Sequence, residues 1–289
     1  MLENGLWPSD LSNEKEMRQG ALFLERPEFR TLHERVKDAR LLHPNDSDFD
    51  LIVHAIRLDE KYGAPNRVFD CWTLAERYIA LVYSIFDKLL TPRITPDLPW
   101  AQWFTTYSNR LGMAVSLNYD RVLETYRSDA RARPFRTALH EEIGRLPIIK
   151  PHGSIDFGPD VVRKPASNGY VMRGLDIPQR LLSDDQMLAE RIETNIVVPS
   201  ALTHMRKRQH VESGYQQFKK HGPAIKTFVM IGVSYCRVDR PEIDEFFDSL
   251  SSDCTVIFAN PSPPPHRLEQ SLAFRELKMV HWPHGPKAL

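Results

Sequence analysis

The chain has 289 residues with 38 basic and 38 acidic side chains, so its formal net charge is zero. That balance gives no argument for nucleic acid or an anionic membrane, and the length allows a sizeable buried core. No apolar run approaches the roughly 20 residues of a membrane-spanning helix, and the N-terminus lacks the basic-then-apolar order of a signal peptide. The three cysteines, Cys71, Cys236 and Cys254, are scattered and form no C-x-x-C pair. They fit a reducing cytoplasm, and neither a disulfide framework nor a metal is expected.

Residues 1 to about 13 read as an irregular arm, followed by a charged helix after Ser12-Asn13 and a second helix starting at Pro27. Asp46-Ser47-Asp48 caps a segment with Phe49, Ile52, Val53 and Ile56 at helical spacing. The longest predicted helix runs from Val68 to Leu90, apolar enough on all sides to imply burial. A proline-punctuated loop precedes a helix from Trp100 to Asn109, whose Trp100, Trp103 and Phe104 are either core or a contact surface.

From Gly112 the rhythm changes to short apolar runs alternating with helical segments, the pattern of a parallel α/β sheet. Strands are predicted at Met113–Leu117, Pro147–Ile149, Asn195–Val198, Thr227–Val233, Cys254–Ala259 and Leu277–Trp282. Helices are predicted at Tyr119–Arg127, Pro134–Gly144, Asp184–Ile192, Gly214–His221 and Pro241–Leu250. Phe157 to Pro178 reads as a polar loop or insertion over the carboxyl edge. The expected architecture is α/β: a mainly helical part over residues 1–110 and an α/β part over 111–289, in one continuous domain.

Four strand ends carry the chemistry. Ser116-Leu117-Asn118-Tyr119-Asp120 closes a strand, and Asn118 or Asp120 either caps the next helix or, as an amide that donates and accepts, orients a sugar hydroxyl or a water. Lys150-Pro151-His152-Gly153-Ser154 sets a titratable ring between a proline and a glycine at a strand end, where histidine suits proton transfer near neutral pH. Gly232-Val233-Ser234 follows an apolar strand, with room at the glycine for close backbone approach and a serine hydroxyl able to bind a ribose or phosphate. Phe258-Ala259-Asn260-Pro261 repeats the scheme. If the first two strands share a sheet, Asn118 and His152 project from one edge.

In order and spacing these stretches resemble the sirtuin-like family, and most closely its prokaryotic, defence-associated branch. The N-x-D and H-G-S pair carries most of the likeness, which spans about residues 112 to 262. The resemblance implies a Rossmann-like parallel sheet with a helical module and NAD as substrate. By position, Asn118 would hold the nicotinamide ribose and place the attacking water, and His152 would accept a proton at that ribose. Asp120 would support the same pocket with Gly153 and Ser154, while Gly232, Ser234 and Asn260 would face the adenosine half. The implied reaction is NAD+ hydrolysis to nicotinamide and ADP-ribose in antiphage defence. An enzyme that drains NAD must be gated, so a homo-oligomer or a regulatory protein partner is expected.

Two departures qualify the likeness. The chain contains no G-x-G, so the glycine-rich loop that holds the pyrophosphate in the family is absent. Either the sequence begins downstream of that loop or part of the NAD site has been lost. The second case points to a degenerate nucleotide- or partner-binding module. Without paired C-x-x-C motifs, a zinc-bearing lysine deacylase ranks third.

Overall fold

The computed structural model describes residues 27–46, 50–56, 65–90, 95–125, 135–136, 147–159, 179–189, 191, 194–198 and 209–286. The expected N-terminal arm and first charged helix lie outside these residues. The chain divides into two compact units that it crosses between several times. The first comprises Met1–Thr91, Asn118–Arg121 and His152–Arg208, and the second Pro92–Leu117, Val122–Pro151 and Gln209–Leu289.

In the first unit, helix α1 (Pro27–Leu42) is followed by α2 (residues 50–56) and the long α3 (Pro65–Leu90). Proline suits the first position of α1 and α3 because the amide there has no intrahelical partner to lose. Leu32 and Val36 of α1, Leu51 and Val53 of α2, and Ile79 of α3 share one core with Tyr119, Ile155 and Ile196. Strands β4 (Phe157–Pro159) and β5 (Gln179–Leu181) pair antiparallel across the stretch read as a loop. Helix α6 (Asp184–Leu188) begins with a reciprocal cap in which the Ser183 hydroxyl accepts from the Gln186 amide and the Gln186 side chain accepts from that of Ser183.

The second unit holds α4 (Pro99–Thr106), β1 (Ala114–Val115), a single turn α5 (Val122–Thr125), β2 (Phe135–Arg136) and β3 (Pro147–Ile149). It continues with α7 (Gln209–His221), β6 (Thr227–Ile231), α8 (Arg240–Phe247), β7 (Thr255–Ala259), α9 (His266–Phe274) and β8 (Lys278–His281). All six strands pair parallel, in two three-stranded sheets of order β1-β3-β2 and β6-β7-β8. The molecule is therefore α/β, but among the described residues the parallel strands do not form the single sheet expected.

Other differences have local causes. Residues 135–136, expected to be helical after Pro134, instead form β2 and extend the ladder of β3. Asn195–Val198 is no strand, since it makes one isolated bridge, Gly153 to Ile196. Residues 118–121 do not start a helix because tertiary contacts hold them in a bend. Helix α9 follows Pro263-Pro264-Pro265 and had no sequence expectation; it buries Leu268 and Leu272 beside β7 and β8. Helix α7 lies close on β3, where a Cβ at Gly214 would sit 2.6 Å from the Ile149 side chain. Tyr215 and Phe218 of α7 meet Phe246 there, with ring centroids 5.0 and 4.6 Å apart.

Among the described residues, no helix is long and apolar enough to cross a membrane.

Candidate functional site

Strands β1 and β3 are neighbours, with Ala114 opposite Ile148 and Val115 opposite Ile149, and the Ser116 amide extends the ladder to the Ile149 carbonyl at 2.9 Å. Three residues beyond the pair Val115–Ile149, the two segments reach Asn118 and His152. Parallel strands in register thus end at equivalent positions on one carboxyl edge, where side chains are free of the ladder and ligands of α/β proteins commonly bind. Lys150, just before the H-G-S segment, is buried and paired with Glu124 at 3.2 Å.

Within the first unit the N-Y-D and H-G-S segments come together. The Ile155 amide donates to the Tyr119 carbonyl at 3.0 Å, and the Tyr119 ring lies 6.3 Å from the His152 imidazole. Asn118 is exposed, Asp120 is half-buried, and His152 is only 3% exposed. The segment 194–198 closes over this turn: the Val197 amide donates to the His152 carbonyl at 2.9 Å, and the Tyr119 hydroxyl donates to the Val197 carbonyl at 2.7 Å. Gly153 makes the closure feasible. Its φ is +81°, and a Cβ there would fall 1.8 Å from the Asn195 carbonyl oxygen.

A buried polar network underlies this turn, and sequence reasoning missed it. The Ser154 hydroxyl donates to Asp156 Oδ1 at 2.7 Å, and both residues are buried. Asp87, 1% exposed, takes the Arg121 amide at 2.7 Å and the Arg121 guanidinium through Nε at 2.9 Å and Nη2 at 2.7 Å. Arg121 reaches Asp184 as well, at 2.8 Å. Burial alone would depress the Arg121 pKa, but hydrogen bonding to Asp87 and the charges of Asp87, Asp184 and Asp156 outweigh it and raise the pKa above the ordinary value. Arg191 donates to the Ile155 carbonyl at 2.5 Å, the Met187 carbonyl at 2.7 Å and the Ser84 hydroxyl at 3.2 Å. Burial lowers its pKa to about 10 despite the opposing pull of Asp156. The hint in the sequence was that Glu76 and Asp87 lie three turns apart on a helix that is largely apolar between Ile79 and Phe86.

The remaining expected residues belong to the second unit, at the carboxyl ends of β6 and β7. Gly232 has φ +64° with open space where a Cβ would project, and Ser234 is exposed. The next residue, Tyr235, also has positive φ and anchors the turn by donating to Asp244 at 2.7 Å. Burial first, then that bond, pushes the Tyr235 pKa up. Asn260 is engaged with the protein itself: its amide nitrogen donates to the Val233 carbonyl at 3.3 Å, and its side-chain oxygen accepts from the Ser262 amide at 3.0 Å. The carboxamide thus cross-links the turns that follow β6 and β7.

No family model, no curated protein and no solved structure matches this chain. The chemistry of the site therefore rests on its own geometry. An exposed carboxamide, Asn118, follows β1 and a buried histidine, His152, follows β3, with a carboxylate, Asp120, two residues beyond the carboxamide. The exposed carboxamide can hold a sugar hydroxyl or a water, whereas the imidazole, of the type that takes up a proton, is covered by the protein. The missing G-x-G leaves the described strand ends without the tight glycine turn that lets backbone amides approach a pyrophosphate.

Proposed function

We propose that the chain is a sirtuin-like NAD+ glycohydrolase that converts NAD+ and water to nicotinamide, ADP-ribose and a proton. A Rossmann-like relation among the parallel strands is part of this proposal. What supports it is the parallel pairing of β1 and β3, the strands that the N-Y-D and H-G-S segments follow. Asn118 would bind the nicotinamide ribose and orient the water, His152 would accept the proton, and Asp120 would support them. Breaking the glycosidic bond builds positive charge on the ribose, which fixed dipoles in a dry site stabilise. Gly153 and Ser154 hold the histidine turn, and Gly232, Ser234 and Asn260 are assigned to the adenosine half. Loss of NAD by this route fits a role in antiphage defence, with activity gated by self-assembly or a regulatory partner.

A second reading, a non-catalytic nucleotide- or partner-binding module, is favoured by two observations. His152 is almost wholly buried, and both ends of the Asn260 carboxamide are occupied within the chain. Calorimetry with NAD+ together with nicotinamide release by the wild type, Asn118→Ala and His152→Ala separates the two. The glycohydrolase should turn over NAD+ and lose turnover in both variants. Binding without turnover would favour the module, and turnover that requires an acylated peptide would favour a lysine deacylase.

A further inference from the structure

We propose a divalent transition-metal site of the zinc class formed by His43, Asp46 and His54 in the first unit. His43 Nδ1 lies 3.9 Å and His54 Nε2 2.9 Å from the same oxygen, Asp46 Oδ2, and all three ligand atoms fall within 4.8 Å of one another. The two imidazoles are stacked, with centroids 3.9 Å apart and planes within 3° of parallel.

Ligand atoms around a tetrahedral zinc stand about 3.3 Å apart, given metal–ligand bonds of about 2.0–2.1 Å. The observed 2.9 and 3.9 Å bracket that spacing, but the two ring planes run nearly parallel and do not meet at one point, so a shared cation needs both rings to make rotations out of the stack. The side chains have the freedom to make them, being 42%, 38% and 22% exposed, and the open side leaves a position for water. The main chain that carries the ligands is fixed. The His43 amide donates to the Ala39 carbonyl at 2.9 Å and closes the end of α1. The Asp46 amide donates to the His43 carbonyl at 3.2 Å, and the Asp46 carbonyl accepts from Arg40 at 2.9 Å. His54 sits on α2 among fully buried neighbours, including Leu51 and Val53.

A bound ion would tie the end of α1 to α2 through a H-x2-D-x7-H pattern. The expectation of no metal rested on the cysteines and did not weigh these histidines.

The test uses the full chain, stripped with a chelator and titrated with Zn2+ by calorimetry and with Co2+ by visible absorption. One ion per chain is expected, with the intense absorption of low-coordinate cobalt. His43→Ala and His54→Ala should each weaken binding roughly tenfold or more, while His221→Ala, at the exposed end of α7, should not change it. Asp46→Asn, which keeps the size of the side chain, serves if a histidine variant fails to fold and should weaken binding similarly. Absence of saturable binding, or binding unchanged in folded His43, His54 or Asp46 variants, overturns the proposal.

Discussion

Replacing Gly153 with alanine should destabilise the protein far more than the same change at Gly232. Both glycines have positive φ, +81° and +64°, so each alanine costs about 1–2 kcal/mol for the left-handed backbone alone. They differ in what the new methyl meets. At Gly232 there is nothing within 4 Å, whereas at Gly153 the Asn195 carbonyl oxygen lies 1.8 Å away. To restore 3.0 Å, the 195–197 segment must retreat by about 1.2 Å. That segment is held by the Val197–His152 and Tyr119–Val197 hydrogen bonds. Losing both costs about 2 kcal/mol, and residual overpacking adds about 1 kcal/mol or more. The Gly153 variant should therefore lie about 3 kcal/mol below the Gly232 variant. With a urea slope of about 3 kcal/mol/M, its midpoint should fall about 1 M lower when followed by circular dichroism. Midpoints that coincide would refute the clamp over the H-G-S turn.

Other expectations follow from the same geometry. Asp87→Ala strips the half-buried guanidinium of Arg121 of its main partner and should cost about 1.5–3 kcal/mol in chemical denaturation; a loss under 1 kcal/mol would mean that Asp184 alone suffices. His33 has its pKa lowered from 6.5 by burial first and then by Lys37, against Glu34. Its folded state binds fewer protons than the unfolded chain, so the associated stability is present above pH 6.5 and lost as pH falls through the lowered folded value. An NMR titration of the His33 ring with a midpoint at or above 6.5 would contradict this. Cys254 is buried and its thiol pKa is raised chiefly by that burial, whereas Cys236 is exposed. A thiol reagent should label Cys236 quickly and Cys254 only on unfolding, as read by peptide mass mapping; equal native rates would show that Cys254 is accessible.

How much of the sequence was legible depended on the range of the interaction that decides each element. Strand β3 has the expected limits, and β6, β7 and β8 lie inside theirs, because an apolar run bounded by turn residues is a local signal. Gly232 ends β6 two residues early by turning to positive φ. Pro134 suggested a helix start, yet pairing with β3 decided residues 135–136, as tertiary context often overrides propensity. The bend at 118–121 depends on Tyr119 reaching Val197 and Arg121 reaching Asp87, contacts 78 and 34 residues apart in sequence. No periodicity reports such pairs. Near the site, the pairing partners β1 and β3 were readable as strands. The burial of His152 and the internal use of Asn260 were not readable, since both depend on what packs over them. The Asp87–Arg121 and Ser154–Asp156 contacts, like the His43–His54 stack, join residue types too common for spacing alone to single them out.

The central claim, cleavage of the nicotinamide–ribose bond, is tested most directly by incubating the purified full chain with NAD+ and quantifying products by chromatography. Equimolar nicotinamide and ADP-ribose, formed by the wild type and not by the His152→Ala variant, is the expected result. Intact NAD+ at every protein concentration tried, or equal product from the His152→Ala variant, would contradict it.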